Sequence, residues 1–558
     1  MDPMSIPSDP FGIASSFFKI QQAWLYNGAE LLNITSRLGA SMQAAGAEQL
    51  TSAMSENRSP KTRSDNPETA LLDAIKNYSK FANKLHSACA MWLRDYVNKA
   101  PDISEKDRQR SVFWINQIIN AISPANCFWT NPSVVQKFVR TKGESVFKGF
   151  ENWLEDLQRG DNLIKIADTG AFKVGQNIAT TPGFVVFRNR LMELIQYSPR
   201  TESVFATPVI FIQPWINKYY VLDLTEEKSL VAYLLNQGFT VFIVSWKNPS
   251  PEMREVTFDD YMLRGALKAV EVAKEICGVE QVHAAGYCIG GTVLAALMAY
   301  LNRGPAESTI PIRDYTMFAS LVDYSSPGEL EVYVTEEVVR IIEELIEKEG
   351  YLDKKYMAAA FRMLRSNNLI WRYYVHNYLQ GEVPPRSDFL YWNSDSTRLP
   401  AKMCSYYLRE FYLKNNLVKE DHLVLGNRPI SLKRISQPLY VVGTEQDHIC
   451  PWKETFKICN LVTGPKRFVL ADEGHITGIV NPPSARSRRK YWISDIDMEQ
   501  AFTPDEWLSV QQEQQGSWWN DWAEWLANGS DPGVAPPGMG NEKYPALEKA
   551  PGSYVMEQ

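Results

Sequence analysis

The feature that most constrains this chain is the hexapeptide Gly286-Tyr287-Cys288-Ile289-Gly290-Gly291. An apolar, strand-like run at residues 282–285 leads into it, and a helix-like run at 292–301 leads out. Strand, sharp turn and helix in that order make an elbow that holds its central residue up as a nucleophile. The glycines serve the strained bend. The usual G-x-S-x-G form of this elbow carries Ser; here Cys288 takes the place. A thiol there points to a substrate suited to a sulfur nucleophile, and a thioester is the obvious one.

The surroundings of the elbow set the fold class. Short runs rich in β-branched and aromatic residues occur at 208–212, 240–244, 282–285, 314–319, 438–442 and 467–470. Helix-like segments such as 229–237 and 260–276 alternate with them. Near-continuous apolar strands alternating with helices predict a mostly parallel sheet covered on both faces. With the elbow, this predicts an α/β-hydrolase fold over residues 176–558. The alternation breaks at 325–431, a stretch with Trp371, Tyr374, Tyr406 and Tyr407, which reads as a cap inserted over the active site.

Residues 1–175 lack strand signals and read as a separate, mainly helical domain, with amphipathic segments at 71–97, 105–122 and 133–157. Such segments pack a bundle core or offer an apolar face to a partner or product. A Ser/Asn/Glu-rich patch at 51–69 reads as a linker. The tail at 527–558, rich in Gly and Pro, is expected to be irregular, and Gly516-Ser517-Trp518-Trp519 before it to dock on the core.

Composition excludes several classes. Of the 558 residues 45% are hydrophobic and 22% charged, which supports two or three packed domains and not global disorder. A net charge of −7 with no basic domain argues against nucleic acid as a partner. No apolar run is long enough for a transmembrane segment, and Met1 to Pro10 has no secretory pattern. Seven cysteines without a C-x-x-C pair fit a reducing cytoplasm and predict no metal site and no disulfide framework.

A thiol with an ordinary pKa of about 8.5 is only slightly ionised at neutral pH, so Cys288 needs a base and the base needs an orienting group. The chain order nucleophile, acid, His is available. Asp447 follows the run at 438–442, and His475 follows the run at 467–470. Of the six histidines, His475 is the expected base, with His448 as a possible auxiliary beside Asp447. His283 reads as a core residue of the strand before the elbow. The backbone amide of Ile289 and that of Trp215 or Ile216, in the loop after the first apolar run, are the expected oxyanion donors. The cluster Arg486, Arg488, Arg489 and Lys490 is either a solvated loop or a contact for the phosphates of a coenzyme A thioester.

The chain resembles the polyhydroxyalkanoate synthases, most closely their single-subunit class I type. The stretches that carry this are Ser123-Pro124-Ala125-Asn126, Ser245-Trp246-Lys247-Asn248-Pro249, the Cys288 elbow, Tyr391-Trp392-Asn393-Ser394-Asp395, Asp447-His448-Ile449-Cys450-Pro451-Trp452, Gly474-His475-Ile476-Thr477-Gly478 and Gly516-Ser517-Trp518-Trp519. Cys450 stands where the resemblance leads one to expect an aliphatic residue. The resemblance implies polymerisation of (R)-3-hydroxyacyl-CoA, chiefly 3-hydroxybutyryl-CoA, into polyester with release of CoA. It implies that Cys288 carries the chain as a thioester and His475 deprotonates the thiol. Asp447 would activate the 3-hydroxyl or support the imidazole. It further implies no cofactor beyond the CoA thioester substrate, a homodimer, and a place at the surface of cytoplasmic granules, where phasin-type proteins can be partners. Two other readings remain open: a thioesterase or polyester depolymerase on the same fold, and a non-catalytic granule scaffold or partner subunit.

Overall fold

The computed structural model describes the chain except for residues 1–8, 10, 12, 26, 59–66, 306–308, 497–501 and 532. The chain divides into two compact units, one of Met1–Asp168 with Met357–Arg386 and one of Thr169–Tyr356 with Ser387–Gln558.

The first unit contains helices α1 (Ile13–Leu25), α2 (Gly28–Arg58), α3 (Pro67–Asn98), α4 (Glu105–Ala121), α5 (Pro132–Arg140) and α6 (Glu144–Arg159). Ile20, Trp24, Ile34, Ala90, Val97, Ile115 and Ile119 form its core. Trp24 Nε1 donates to the Tyr96 carbonyl at 2.9 Å, which satisfies the one polar atom of that buried ring. The patch predicted as a linker is helical up to Arg58 and again from Pro67; residues 59–66 lie outside the described residues.

The insertion predicted at 325–431 does not hold together as one piece. Its middle, Met357–Arg386, packs on α6 within the first unit. The contact is backbone-close: a Cβ on Gly149 would lie 1.8 Å from the Tyr378 carbonyl oxygen. Asn152 Nδ2 donates to the carbonyls of Asn377 and Glu382, and the Tyr378 hydroxyl to Asp156. Helix α6 leaves much of its apolar stripe in solvent, with Phe147 73% and Phe150 55% exposed.

The second unit is built on a sheet of eleven strands. They are β1 (Gly183–Arg188), β2 (Met192–Tyr197), β3 (Val209–Ile212), β4 (Val241–Trp246), β5 (Val282–Tyr287), β6 (Ile312–Phe318), β7 (Leu439–Thr444), β8 (Lys466–Ala471), β9 (Lys490–Ile496), β10 (Gln514–Gln515) and β11 (Glu548–Lys549). Their order across the sheet is β10-β9-β8-β7-β6-β5-β3-β4-β2-β1-β11. The six from β3 to β8 pair in parallel and coincide with the six apolar runs of the sequence. The flanking strands are antiparallel. Parallel strands must return through crossovers, so helices α7 (Leu230–Asn236), α8 (Lys268–Cys277) and α9 (Ile289–Leu301) follow β3, β4 and β5 in turn. This is the α/β-hydrolase arrangement.

β2 carries a charge into the sheet. Glu193 is fully buried, and its carboxylate accepts from Arg188 Nε, the Ser553 hydroxyl and amide, and the Tyr554 amide at 2.8–3.1 Å. The tail therefore does not trail away. β11 pairs with β1 at Lys549 and Glu548 beside this cluster. Helix α10 (Trp519–Asn528) docks as expected, with Trp518, Trp519 and Trp522 buried and their indole N–H groups donating to Gly478 O, Ile479 O and Thr316 Oγ1 at 2.9 Å.

Candidate active site

β5 ends at Tyr287 and α9 begins at Ile289, so Cys288 alone forms the turn. Its backbone stands at φ 54° and ψ −126°, a conformation an L-residue holds only when its surroundings impose it. Two glycines do so. A Cβ on Gly286 would lie 2.5 Å from Gly291 Cα, and one on Gly290 would lie 2.1 Å from the Ile212 carbonyl oxygen. Strand and helix meet backbone to backbone, and the Cys288 side chain is left at the sheet's carboxyl edge.

Asp447 follows β7 and His475 follows β8. Parallel neighbours bring the two loops together: His475 Nδ1 lies 2.6 Å from Asp447 Oδ2. Asp447 Oδ1 accepts the amides of Ile449 and Cys450, each at 2.8 Å, and the Thr444 hydroxyl donates to Oδ2 at 3.2 Å. The imidazole stacks on Tyr287 with centroids 5.3 Å apart, and the Tyr287 hydroxyl donates to the His475 carbonyl at 3.1 Å. With Nδ1 on the carboxylate, Nε2 is left for sulfur. The ligand atoms of Cys288, Cys450 and His475 all lie within 4.8 Å of one another. The spacing of these residues in the sequence shows no metal-ligand pattern; the fold nonetheless gathers two thiols and an imidazole.

The charges follow from this packing. The Cys288 thiol is held down to about 5 because the Cys450 thiol donates to it, with the His475 charge and the Ile289 amide adding to the effect against the cost of burial. Burial disfavours a charged His475, but the Asp447 carboxylate and the Cys288 thiolate outweigh it and push the imidazole up to about 10. Sharing with Cys288, together with burial, pushes the Cys450 thiol well up. The two shifts act in the same direction and favour a thiolate–imidazolium pair at neutral pH. Iodoacetamide should therefore alkylate Cys288 at a nearly constant rate across neutral pH, slowing only on acidification. In His475→Gln the midpoint should move upward and the rate should climb with pH, since the Cys450 thiol is then left to oppose burial without the imidazolium. A wild-type rate rising about tenfold per pH unit through neutrality would rule the pair out.

The other predicted residues fall as follows. The carbonyl of His448 accepts the Glu329 amide, while the imidazole on the Asp447 carboxylate is that of His475. Trp215 and Ile216 lie in the loop after β3, which Thr397 pins by bonding both of their carbonyls at 2.5 and 2.9 Å. In the basic cluster, Arg489 pairs with Asp472 at 2.6 Å and Lys490 with Glu513 at 3.0 Å, whereas Arg486 and Arg488 are exposed. Lys490 also opens β9, so the cluster is only in part a loop. His283 is buried, its Nδ1 on Asp314 and its Nε2 2.7 Å from the Ser530 hydroxyl.

Sequence reasoning placed Tyr407 in the cap over the site but singled out neither Tyr324 nor Tyr412. Burial pushes the phenols of Tyr324, Tyr407 and Tyr412 well up, and the charge of Cys288 adds to this, so all three are held as neutral hydroxyls. Tyr324 and Tyr407 share a 2.9 Å hydrogen bond. Tyr407 and Tyr412 belong to the inserted segment, within its helical stretch Tyr407–Leu413. Their aromatic density was visible in the sequence, but their approach to the elbow depends on tertiary packing.

An elbow after a central parallel strand, with an acid and a His after the next strands in order, defines an α/β-hydrolase-fold protein. Residues 207–482 match the family described as alpha/beta hydrolase fold. Residues 74–234 match the family described as Poly-beta-hydroxybutyrate polymerase (PhaC) N-terminus. A poly(3-hydroxyalkanoate) polymerase of Methylorubrum extorquens is 36% identical over 544 residues, covering 96% of this chain and 88% of that protein. The corresponding polymerase subunit of Cupriavidus necator is 40% identical over 462 residues, covering 82% and 77%. That of Rhizobium meliloti is 38% identical over 486 residues, covering 87% and 78%. The chain belongs to the poly(3-hydroxyalkanoate) polymerases and is an acyltransferase. No helix among the described residues is long and apolar enough to cross a membrane.

Proposed function

We propose that the chain polymerises (R)-3-hydroxyacyl groups from CoA thioesters, 3-hydroxybutyryl-CoA among them, through a thioester on Cys288. The Cys288 thiolate attacks the acyl carbonyl. The amide of Ile289 and that of Trp215 or Ile216 hold the oxyanion. CoA leaves as a thiol, taking the proton of His475. The neutral imidazole then removes the proton of an incoming 3-hydroxyl, which attacks the Cys288 thioester, forms the ester and regenerates the sulfur. The observation that carries this reading is the 2.6 Å bond from His475 Nδ1 to Asp447 beside the Cys288 thiol. Both oxygens of Asp447 are already engaged, which supports its acting through His475 and not directly on the hydroxyl.

Thioester exchange is nearly neutral in free energy, so the outcome depends on whether alcohol or water reaches the acyl group. The buried, neutral phenols of Tyr324, Tyr407 and Tyr412 feel the charge of Cys288, and this apolar side of the site would favour the alcohol by excluding water. Exposed Arg486 and Arg488 are the remaining members of the basic cluster that can meet the CoA phosphates. The exposed apolar stripe of α6 suits contact with a polyester granule, and the homodimer and phasin-type partners implied by the family resemblance belong to the same reading. The purified chain given 3-hydroxybutyryl-CoA should release CoA while the solution turns turbid with polymer. CoA release with free hydroxy acid and no polymer would leave a thioesterase instead.

A further inference from the structure

We propose that Cys288, Cys450 and His475 form a binding site for a thiophilic divalent cation, zinc being the type ion, and that its occupancy reversibly blocks the sulfur. Among the described residues these three side chains form the one group whose ligand atoms lie within 4.8 Å of one another. Two sulfurs and an imidazole nitrogen select zinc-like ions over magnesium, calcium or manganese, which prefer oxygen. In a tetrahedral zinc site the donors stand about 3.5–3.8 Å apart, so side-chain shifts of about 1 Å close the cluster.

The surroundings are those of a metal site. A ligating imidazole commonly gives its second nitrogen to a carboxylate, which orients the ring and raises its basicity. His475 does so with Asp447 at 2.6 Å, leaving Nε2 toward the sulfurs. The same carboxylate holds the backbone of Cys450 at 2.8 Å, so one group positions two of the three ligands. The third is fixed by the strained elbow. Cys450 and His475 are buried, which removes competing water from the donors. On binding, two metal–sulfur bonds and one metal–nitrogen bond form, and two protons leave for solvent. The fourth position stays open, as in sites with three protein ligands. A sulfur bonded to the cation cannot attack a thioester, so the effect on turnover rests on the function proposed above, whereas binding itself does not.

The test is cobalt(II) and zinc(II) titration of the full-length protein in a non-chelating reductant, read by the thiolate-to-cobalt absorption band and by competition with a chromophoric chelator. One equivalent should bind, with the thiolate band present, and a chelator should restore CoA release in full. Asp447→Asn should weaken binding about 10–100-fold. Cys450→Val and Cys450→Ser, checked for folding by circular dichroism, should weaken it further, while Cys459→Ala should bind like wild type. Affinity unchanged in both Cys450 variants, or cobalt bound without the thiolate band, would overturn the proposal. Tight binding in a protein that forms no polymer would leave this site standing and remove the polymerase reading alone.

Discussion

Cys288→Ala should lose polymerisation by about 10⁴–10⁶-fold and incorporate no covalent acyl label at all. Alanine keeps the small side chain that the elbow tolerates, so the Gly286 and Gly290 contacts persist and folding should survive. What disappears is the one sulfur at the carboxyl edge of β5 that faces His475. Cys450 is close but does not replace it. With Cys288 gone, burial still opposes its ionisation, and it sits in the loop after β7 and not at the elbow that Ile289 follows. The measurement is mass spectrometry of protein quenched with 3-hydroxybutyryl-CoA. An acyl group found on Cys450, or on any residue of the alanine variant, would move the chemistry elsewhere.

His475→Gln should slow acylation by at least about 100-fold and the ester-forming step by a further 10²–10⁴-fold. The two losses have different origins. Without the imidazolium, burial raises the Cys288 thiol and leaves a small thiolate fraction. Without the imidazole, no base remains for the incoming hydroxyl. Glutamine fills the space and can still donate to Asp447, so a structural loss is separated from a chemical one. Raising the pH should restore much of the first step, since hydroxide supplies the missing thiolate, and little of the second. Single-turnover CoA release against polymer growth resolves the two. Near-normal acylation in this variant would transfer the role of base to His448.

The six parallel strands were legible because each is buried on both faces and therefore reads as a continuous apolar run. Cys288, Asp447 and His475 were legible for a related reason: the elbow has a strict local pattern, and the acid and base follow strands that could be counted. β1 and β2 were not. β2 reads Met-Glu-Leu-Ile-Gln-Tyr, and Glu193 and Gln196 interrupt the apolar run on both faces, although both are buried. Arg188 is a near partner of Glu193, but the others, Ser553, Tyr554, Gly538 and Gly540, lie far along the chain, so no local window contains the whole explanation. The same limit hid Cys450. Beside Asp447 it reads as packing, and only the adjacency of β5, β6 and β7 brings its sulfur to Cys288. The split of the inserted segment was hidden because a helix face does not announce which neighbour it will meet.

The clamp on Glu193 has a bearing on biosynthesis. Arg188, five residues upstream, pairs with this carboxylate from the neighbouring strand, but its other donors are translated some 360 residues after it. A nascent chain that has made β1 through β8 holds this buried anion with Arg188 alone, short of the further hydrogen bonds a buried carboxylate needs. The rim of the sheet therefore closes only after emergence of the segment around Glu548 and Ser553, making that late segment the latch on the finished fold.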